Sequence, residues 1–286
     1  MSGHISRRAW LGTVSGVIGS AALVRPLRGQ QYHIAGADFK LGVASYSFRK
    51  FSRARAIEMT KQLGTPYLNV KEFHLKLDST PQQIDAAKQE FQAAGIVLVG
   101  CGNVDFQEDD ESDIRSKFEY AKRAGFPLVV CAPTHATLPK LEKFVKEYDI
   151  KIAVHNHGPR DKNFPTPQSA LKMVKDMDPR CGLCMDLGHT ALAGVDIVEA
   201  IQEAGTRLLD MHAKDLRDPL NEESWCPVGE GKLPFPQIFR QLLEMKYSGC
   251  VNLENESEPD NPLPGMQKSF AFMRGVLADI QAAGKA

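Results

Sequence analysis

Four short stretches of this 286-residue chain each end in side chains able to hold a metal ion or carry a proton: His155-Asn156-His157, Asp186-Leu187-Gly188-His189, His212-Ala213-Lys214-Asp215 and Glu254-Asn255-Glu256. A lone histidine or aspartate at the end of an element is usually a capping or solvated group. Four such ends in succession point instead to a shared site. Two histidines, an aspartate and a glutamate offer imidazole nitrogen and carboxylate oxygen, a donor set suited to one Mn²⁺, Zn²⁺, Fe²⁺ or Co²⁺; Ca²⁺ prefers oxygen alone. Residues two apart on a strand share a face, so His155 pairs with His157 and Glu254 with Glu256.

An ion of that kind, bound to a ketone and a neighbouring hydroxyl, polarises the carbonyl. The adjacent C–H then becomes acidic enough for a carboxylate to take its proton. The enediolate is reprotonated elsewhere, which is isomerisation or epimerisation, or it expels a β-hydroxyl or glycoside, which is a lyase reaction. Glu254 is the candidate base, with His157 or His189 as its partner acid. Lys214 falls on the inward parity of its strand and either holds a substrate oxygen or bridges to Glu256 or Asp186. Glu72 and His74 share a face and are expected at the same mouth as substrate contacts, together with Glu256. Tyr46, Phe48 and Trp225 are aromatic candidates for packing on a substrate or for a lid.

These groups meet only if the elements carrying them converge. After residue 38 short runs rich in Val, Ile, Leu and Cys alternate with longer amphipathic runs. The pattern predicts strands at 40–47, 67–73, 97–103, 128–132, 151–157, 182–186, 207–214 and 249–255. It predicts helices at 54–63, 81–94, 111–124, 138–147, 167–177, 195–204, 236–245 and 266–283. Thr80-Pro81 and Thr166-Pro167 read as helix starts, with a cap residue before proline. Gly64, Gly95, Gly125 and Gly205 fall where helices need a left-handed stop. Eight strand–helix units predict the α/β class and a single (β/α)8 TIM barrel, whose active sites lie at the C-terminal strand ends. An open doubly wound sheet is the weaker alternative, because no Gly-x-Gly-x-x-Gly follows the first strand and no phosphate-binding P-loop is present. The longest candidate loop is 216–234, after strand seven.

Lys plus Arg number 35 and Asp plus Glu number 35, which argues against a nucleic-acid binder relying on bulk positive charge. Residues 1–37 nevertheless hold Arg7, Arg8, Arg25 and Arg28 and no acid. Ser6-Arg7-Arg8-Ala9-Trp10-Leu11 resembles a twin-arginine export signal, followed by a weakly apolar stretch at 11–24 that is too short for stable membrane insertion. Residues 1–37 are therefore expected to be a signal segment and linker, and 38–286 the barrel. Recognition by the twin-arginine export machinery and a periplasmic or extracytoplasmic location follow as expectations. The six cysteines sit mostly in apolar runs and read as small buried hydrophobes, the Cys181-x-x-Cys184 pair included.

Asp186-Leu187-Gly188-His189-Thr190, His212-Ala213-Lys214-Asp215, Val228-Gly229-Glu230-Gly231 and the closing Gly249–Glu254 segment, in this order and spacing, resemble the sugar phosphate isomerase/epimerase superfamily, the xylose-isomerase-like or AP-endonuclease-family barrels. The resemblance covers about residues 38–283. It implies one divalent metal held by His155, Asp186, His212 and Glu254, and a small-molecule carbohydrate substrate. In the epimerase branch the first of these positions is Glu, and two Glu residues shuttle protons on either face of the substrate. His155 departs from that pattern and is similar to the His-x-His of the inosose dehydratase branch. The resemblance thus implies a metal-dependent isomerase or epimerase first and a ketosugar lyase as the alternative. A DNA-repair nuclease is disfavoured, because strands three and four lack further Glu ligands. A non-catalytic sugar-binding barrel is the remaining reading.

Overall fold

In the computed structural model, residues 39–284 and Met1 are described; the arginine pair and the rest of the expected signal segment lie outside them. Eight strands form the barrel: β1 (Lys40–Ala44), β2 (Tyr67–Val70), β3 (Val97–Phe106), β4 (Leu128–Pro133), β5 (Lys151–His155), β6 (Cys181–Asp186), β7 (Leu208–Ala213) and β8 (Cys250–Leu253). Each pairs in parallel with its sequence neighbour, and β1 closes the ring by pairing with β8. The expected (β/α)8 barrel is the observed fold. Among the described residues no helix is long and apolar enough to cross a membrane.

The helices are α1 (Arg53–Gln62), α2 (Pro81–Ala93), α3 (Glu111–Ala124), α4 (Leu138–Tyr148), α5 (Pro167–Val174), α6 (Leu187–Leu192), α7 (Ile197–Ala204), α8 (Phe235–Glu244) and α9 (Leu263–Ala283). Their starts follow the cap chemistry: Thr80 and Gln83 form a reciprocal capping box on α2, and Thr166 and Ser169 do the same on α5. α3 stops at Gly125, whose φ of 83° is left-handed and open to glycine. Outward strand residues such as Val43, Leu68, Ile152, Val154 and Met211 are buried with Phe91, Phe118, Phe144 and Phe239 from the helices. Full burial of each such side chain stabilises the barrel by roughly 1.5–3 kcal/mol. All six cysteines are buried and unbridged.

Three departures from the sequence pattern matter for the site. β5 ends at His155, so His157 stands on the loop beyond it. β2 ends at Val70, and the chain turns at once, with the His74 amide bonding the Lys71 carbonyl at 3.0 Å. A short helix, α6, follows β6 directly, so His189 is helical rather than a strand residue. Periodicity misses a six-residue helix because it spans fewer than two turns.

Candidate metal centre

Register decides which side chains face the barrel axis. Asp186 pairs with His212, and His212 with Asn252, across β6, β7 and β8. That places Asp186, His212 and Glu254 on the interior face at the C-terminal end, beside His155 of β5. The four offer one donor atom each, all within 4.8 Å of one another, and all four residues are buried. His155 Nε2 lies 3.1 Å from His212 Nδ1 and 3.4 Å from Asp186 Oδ2. His212 Nδ1 lies 3.6 Å from Asp186 Oδ2 and 3.3 Å from Glu254 Oε2. A tetrahedron of donors at about 2.1 Å from a zinc-like ion has edges of about 3.4 Å. The observed separations match that edge length. Two imidazole nitrogens and two carboxylate oxygens converge on one point, and Asp186 Oδ2 is fully enclosed without a hydrogen bond of good geometry. The residues present fit a divalent cation.

Local structure holds each donor. Asp186 caps α6, its Oδ1 accepting the His189 amide at 2.9 Å, which leaves Oδ2 for the centre. Asn156 clamps β5 to β6: its Oδ1 accepts the Asp186 amide at 3.0 Å and its Nδ2 donates to Thr190 Oγ1 at 3.1 Å. Lys214 lies beside the cluster, 3.2 Å from Asp186 Oδ2 and 3.0 Å from Glu254 Oε2, and donates to Glu256 Oε1 at 2.7 Å. Both readings of Lys214 thus share one geometry, since it bridges to Asp186 and Glu256 while lining the cavity.

The ionisation states follow from these neighbours. Burial raises the Asp186 carboxyl, but Lys214 and the surrounding histidines outweigh it and hold it well below its ordinary range. Glu254 is likewise raised by burial and pulled well below its range by His212, Lys214 and Lys71. Burial pushes His155 down to about 3 and His189 to about 4, so both rings are neutral near pH 7. Burial disfavours the Lys214 ammonium, yet Asp186, Glu254 and Glu256 raise it well above the ordinary lysine value.

A cavity of about 250 Å³ opens above the cluster, lined on the β5–β8 side by His155, His157, Lys214, Glu254 and Glu256. Tyr46, Lys71 and Glu72 close it from the β1–β2 side. His157 is exposed, and its ring packs 4.6 Å from that of His189. His189 is buried behind it, edge-on to Trp225 at 5.8 Å, and is not among the groups lining the cavity. Trp225 covers Gly188, where a Cβ would meet the indole at 2.4 Å, and lies 5.3 Å from the Lys214 ammonium. Phe48 is fully buried in the core, so it is not a cavity residue.

The expectation for His74 is corrected. β2 pairs Asn69 with Ala44, which puts Asn69 and Lys71, not Glu72 and His74, on the interior parity. The turn after Val70 brings Glu72 back to the cavity rim, but His74 turns inward to Ser45, 2.9 Å from its Oγ. Lys71 is the residue the sequence reading passed over. It is 5% exposed and its ammonium lies 3.0 Å from Glu254 Oε1. The parity of strand two, once anchored on Asn69, is the signal that would have found it. Asp215, next to Lys214, shapes the loop behind the site. Its Oδ1 accepts the amides of Leu216 and Leu233 at 2.9 and 3.1 Å, and its Oδ2 those of Gly229 and Gly231 at 2.9 and 3.1 Å.

The model of the family described as "Xylose isomerase-like TIM barrel" matches residues 33–276. The chain belongs to that family. Among curated proteins it is 25% identical over 151 residues to an inosose dehydratase of Lactiplantibacillus plantarum, covering 46% of this chain and 50% of the relative. The chain spans about half the length of the curated relatives it matches. Among solved structures it is similar to the IolI protein with a bound zinc atom, at TM-score 0.70 and 20% identity, over 84% of this chain and 99% of that one. It is also similar to L-ribulose 3-epimerase, at TM-score 0.69 and 15% identity, over 86% and 96% of the two chains. At those identities the structural likeness concerns the fold. Dehydratases and epimerases thus share this xylose isomerase-like barrel with the chain.

Proposed function

We propose that this xylose isomerase-like barrel is a divalent-metal-dependent dehydratase of a keto-polyol, a lyase rather than an epimerase. The observation that carries this reading is His155. Epimerisation through two carboxylates needs a second proton-transferring Glu on β5, and that position holds a buried imidazole whose ionisation is pushed down to about 3. His155 serves the ion and leaves Glu254 as the one ligand carboxylate at the cavity wall. The inosose dehydratase relatives support the same reading.

His155, Asp186, His212 and Glu254 would hold the ion, with Zn²⁺, Mn²⁺, Co²⁺ and Fe²⁺ all compatible with the donors. When bound, the ion polarises a ketone oxygen and makes the neighbouring C–H acidic. Lys214 orients a substrate oxygen, and Glu256 and Glu72 receive hydroxyl groups at the rim. Glu254, kept ionised by its cationic neighbours, takes the α-proton, with His157 as the alternative proton carrier on the open side. His189 supports His157 from behind.

The test is product identification with metal-loaded protein and a panel of ketosugars that includes keto-inositols, run in deuterated water. The expected result is loss of water, read as an unsaturated or diketone product by mass and ultraviolet absorption. Epimer formation with no elimination on any member of the panel overturns the reading and returns the chain to the epimerase branch.

A further inference from the structure

We propose that Lys71 is the general acid of the reaction, paired to Glu254 so that the two pass a single proton between them. This rests on the dehydratase reading above. Loss of water needs two proton transfers: one group removes the α-hydrogen, and another protonates the departing β-hydroxyl, since hydroxide is a poor leaving group. Lys214 is badly placed for the second task. It is held among three carboxylates, 3.2 Å from Asp186, 3.0 Å from Glu254 and 2.7 Å from Glu256, and donates its hydrogen bond to Glu256, so its charge is committed to balancing the cluster. Lys71 carries the same charge but has one ionic partner in contact, Glu254 Oε1 at 3.0 Å, and it lines the cavity.

The fold explains the pairing. Lys71 follows β2 and Glu254 follows β8, with only β1 between them. The interior positions of β1 nearest them are Gly42 and Ala44, which pair with Asn252 and Asn69 and place no long side chain in the way. The Lys71 backbone is fixed, its amide donating to Ser45 Oγ at 2.8 Å and its carbonyl accepting from His74. Lys71 pairs ionically with one oxygen of Glu254, and the other faces His212 and Lys214.

The proton count closes. Glu254 takes the α-proton, and the C–H electrons become the new C=C bond. The β C–O bond breaks with its electron pair on oxygen, which takes a proton from the Lys71 ammonium and leaves as water. The protonated Glu254 then returns its proton to the Lys71 amine across their 3.0 Å contact, restoring both groups. Acid and base stand on one wall, so the α-hydrogen and the β-hydroxyl must leave from the same face. In the all-trans keto-inositol, scyllo-inosose, each ring hydrogen and the neighbouring hydroxyl lie on one face, which makes it the probe of choice.

The experiment compares metal-loaded wild type, Lys71→Met and Lys71→Arg on scyllo-inosose, on its epimer at the β-carbon and on its β-fluoro analogue. Metal content and Tm report that the variants are folded. Both variants should lose dehydration kcat by at least about 100-fold, with KM changed by less than about threefold. Exchange of the α-proton with deuterated solvent should persist, and the β-fluoro analogue, which needs no acid, should be eliminated by Lys71→Met at close to the wild-type rate. The β-epimer should exchange but not dehydrate in the wild type. Retained dehydration in Lys71→Arg, or parallel loss of exchange and dehydration, overturns the acid role while leaving the dehydratase reading intact. A wild type that exchanges the α-proton of every ketosugar and dehydrates none overturns the dehydratase reading first, and this inference with it.

Discussion

Lys214→Met separates the charge balance of the centre from its shape. The side chain is 3% exposed, and its ammonium contacts Asp186, Glu254 and Glu256 at 3.2, 3.0 and 2.7 Å. Removing one member of a buried ionic group typically costs about 3–5 kcal/mol, because the partner charges stay buried and unmatched. For a domain of this size each kcal/mol lowers Tm by about 2–4 °C, so metal-free Lys214→Met should melt about 6–20 °C below the metal-free wild type. Metal binding should respond in the opposite direction. The ammonium shares Asp186 Oδ2 and Glu254 Oε2 with the expected ion and repels it. A divalent charge and an ammonium about 4 Å apart repel by about 8 kcal/mol at an effective dielectric constant of 20. If a fifth of that survives relaxation, the loss of Lys214 tightens Kd about tenfold. Chelator competition with Zn²⁺ reads the affinity, and thermal melts with and without Zn²⁺ read the stability. Zn²⁺ should also recover most of the lost Tm. An unchanged metal-free Tm together with weaker Zn²⁺ binding would refute the reasoning, since it would make Lys214 a support of the ligands rather than a competitor of the ion.

Three further outcomes are expected. Asp215→Ala removes the acceptor for four loop amides, so hydrogen exchange at Gly229, Gly231 and Leu233 should accelerate about a hundredfold, equivalent to about 3 kcal/mol of local opening; unchanged protection would place the loop under other control. Burial lowers His74 from an ordinary value near 6.5 to about 4, so its neutral ring contributes stability that is complete above pH 6.5 and lost as pH falls toward 4. Urea unfolding of His74→Gln should accordingly lose about 2.5 kcal/mol less than wild type between pH 7 and pH 4.5, and identical losses would show that the ring is not the acid-sensitive group. Replacing Arg7 and Arg8 together with Lys should retain the protein in the cytoplasm, by cell fractionation, and undiminished export of that variant would remove the twin-arginine assignment.

The sequence by itself determined the barrel, because its elements rest on local information, and it pointed to the four residues that the structure brings into one buried cluster. Hydrophobic period separates strands from helices, Thr80 and Thr166 announce helix starts, and a barrel of eight such units delivers every strand end to one mouth. His155, Asp186, His212 and Glu254 were legible because each lies at or beside a strand end and matches the order of the family pattern. What needed tertiary structure was decided by register and by the backbone beyond the strands. The alignment of Asn69 with Ala44 put Lys71 inside the barrel, and the early end of β2 sent His74 into the wall; neither shift changes the composition of the 71–74 segment. His189 moved behind His157 because Asp186 starts a helix instead of ending in a loop. The second partner of each carboxylate belonged to the same class of information: Lys71 meets Glu254 from 183 residues away in sequence, through a gap left by Gly42 and Ala44. Side-chain type fixes which chemistry a position can perform. The distance between oppositely charged groups, which sets whether they hold, move or withhold a proton, is fixed only when the sheet closes.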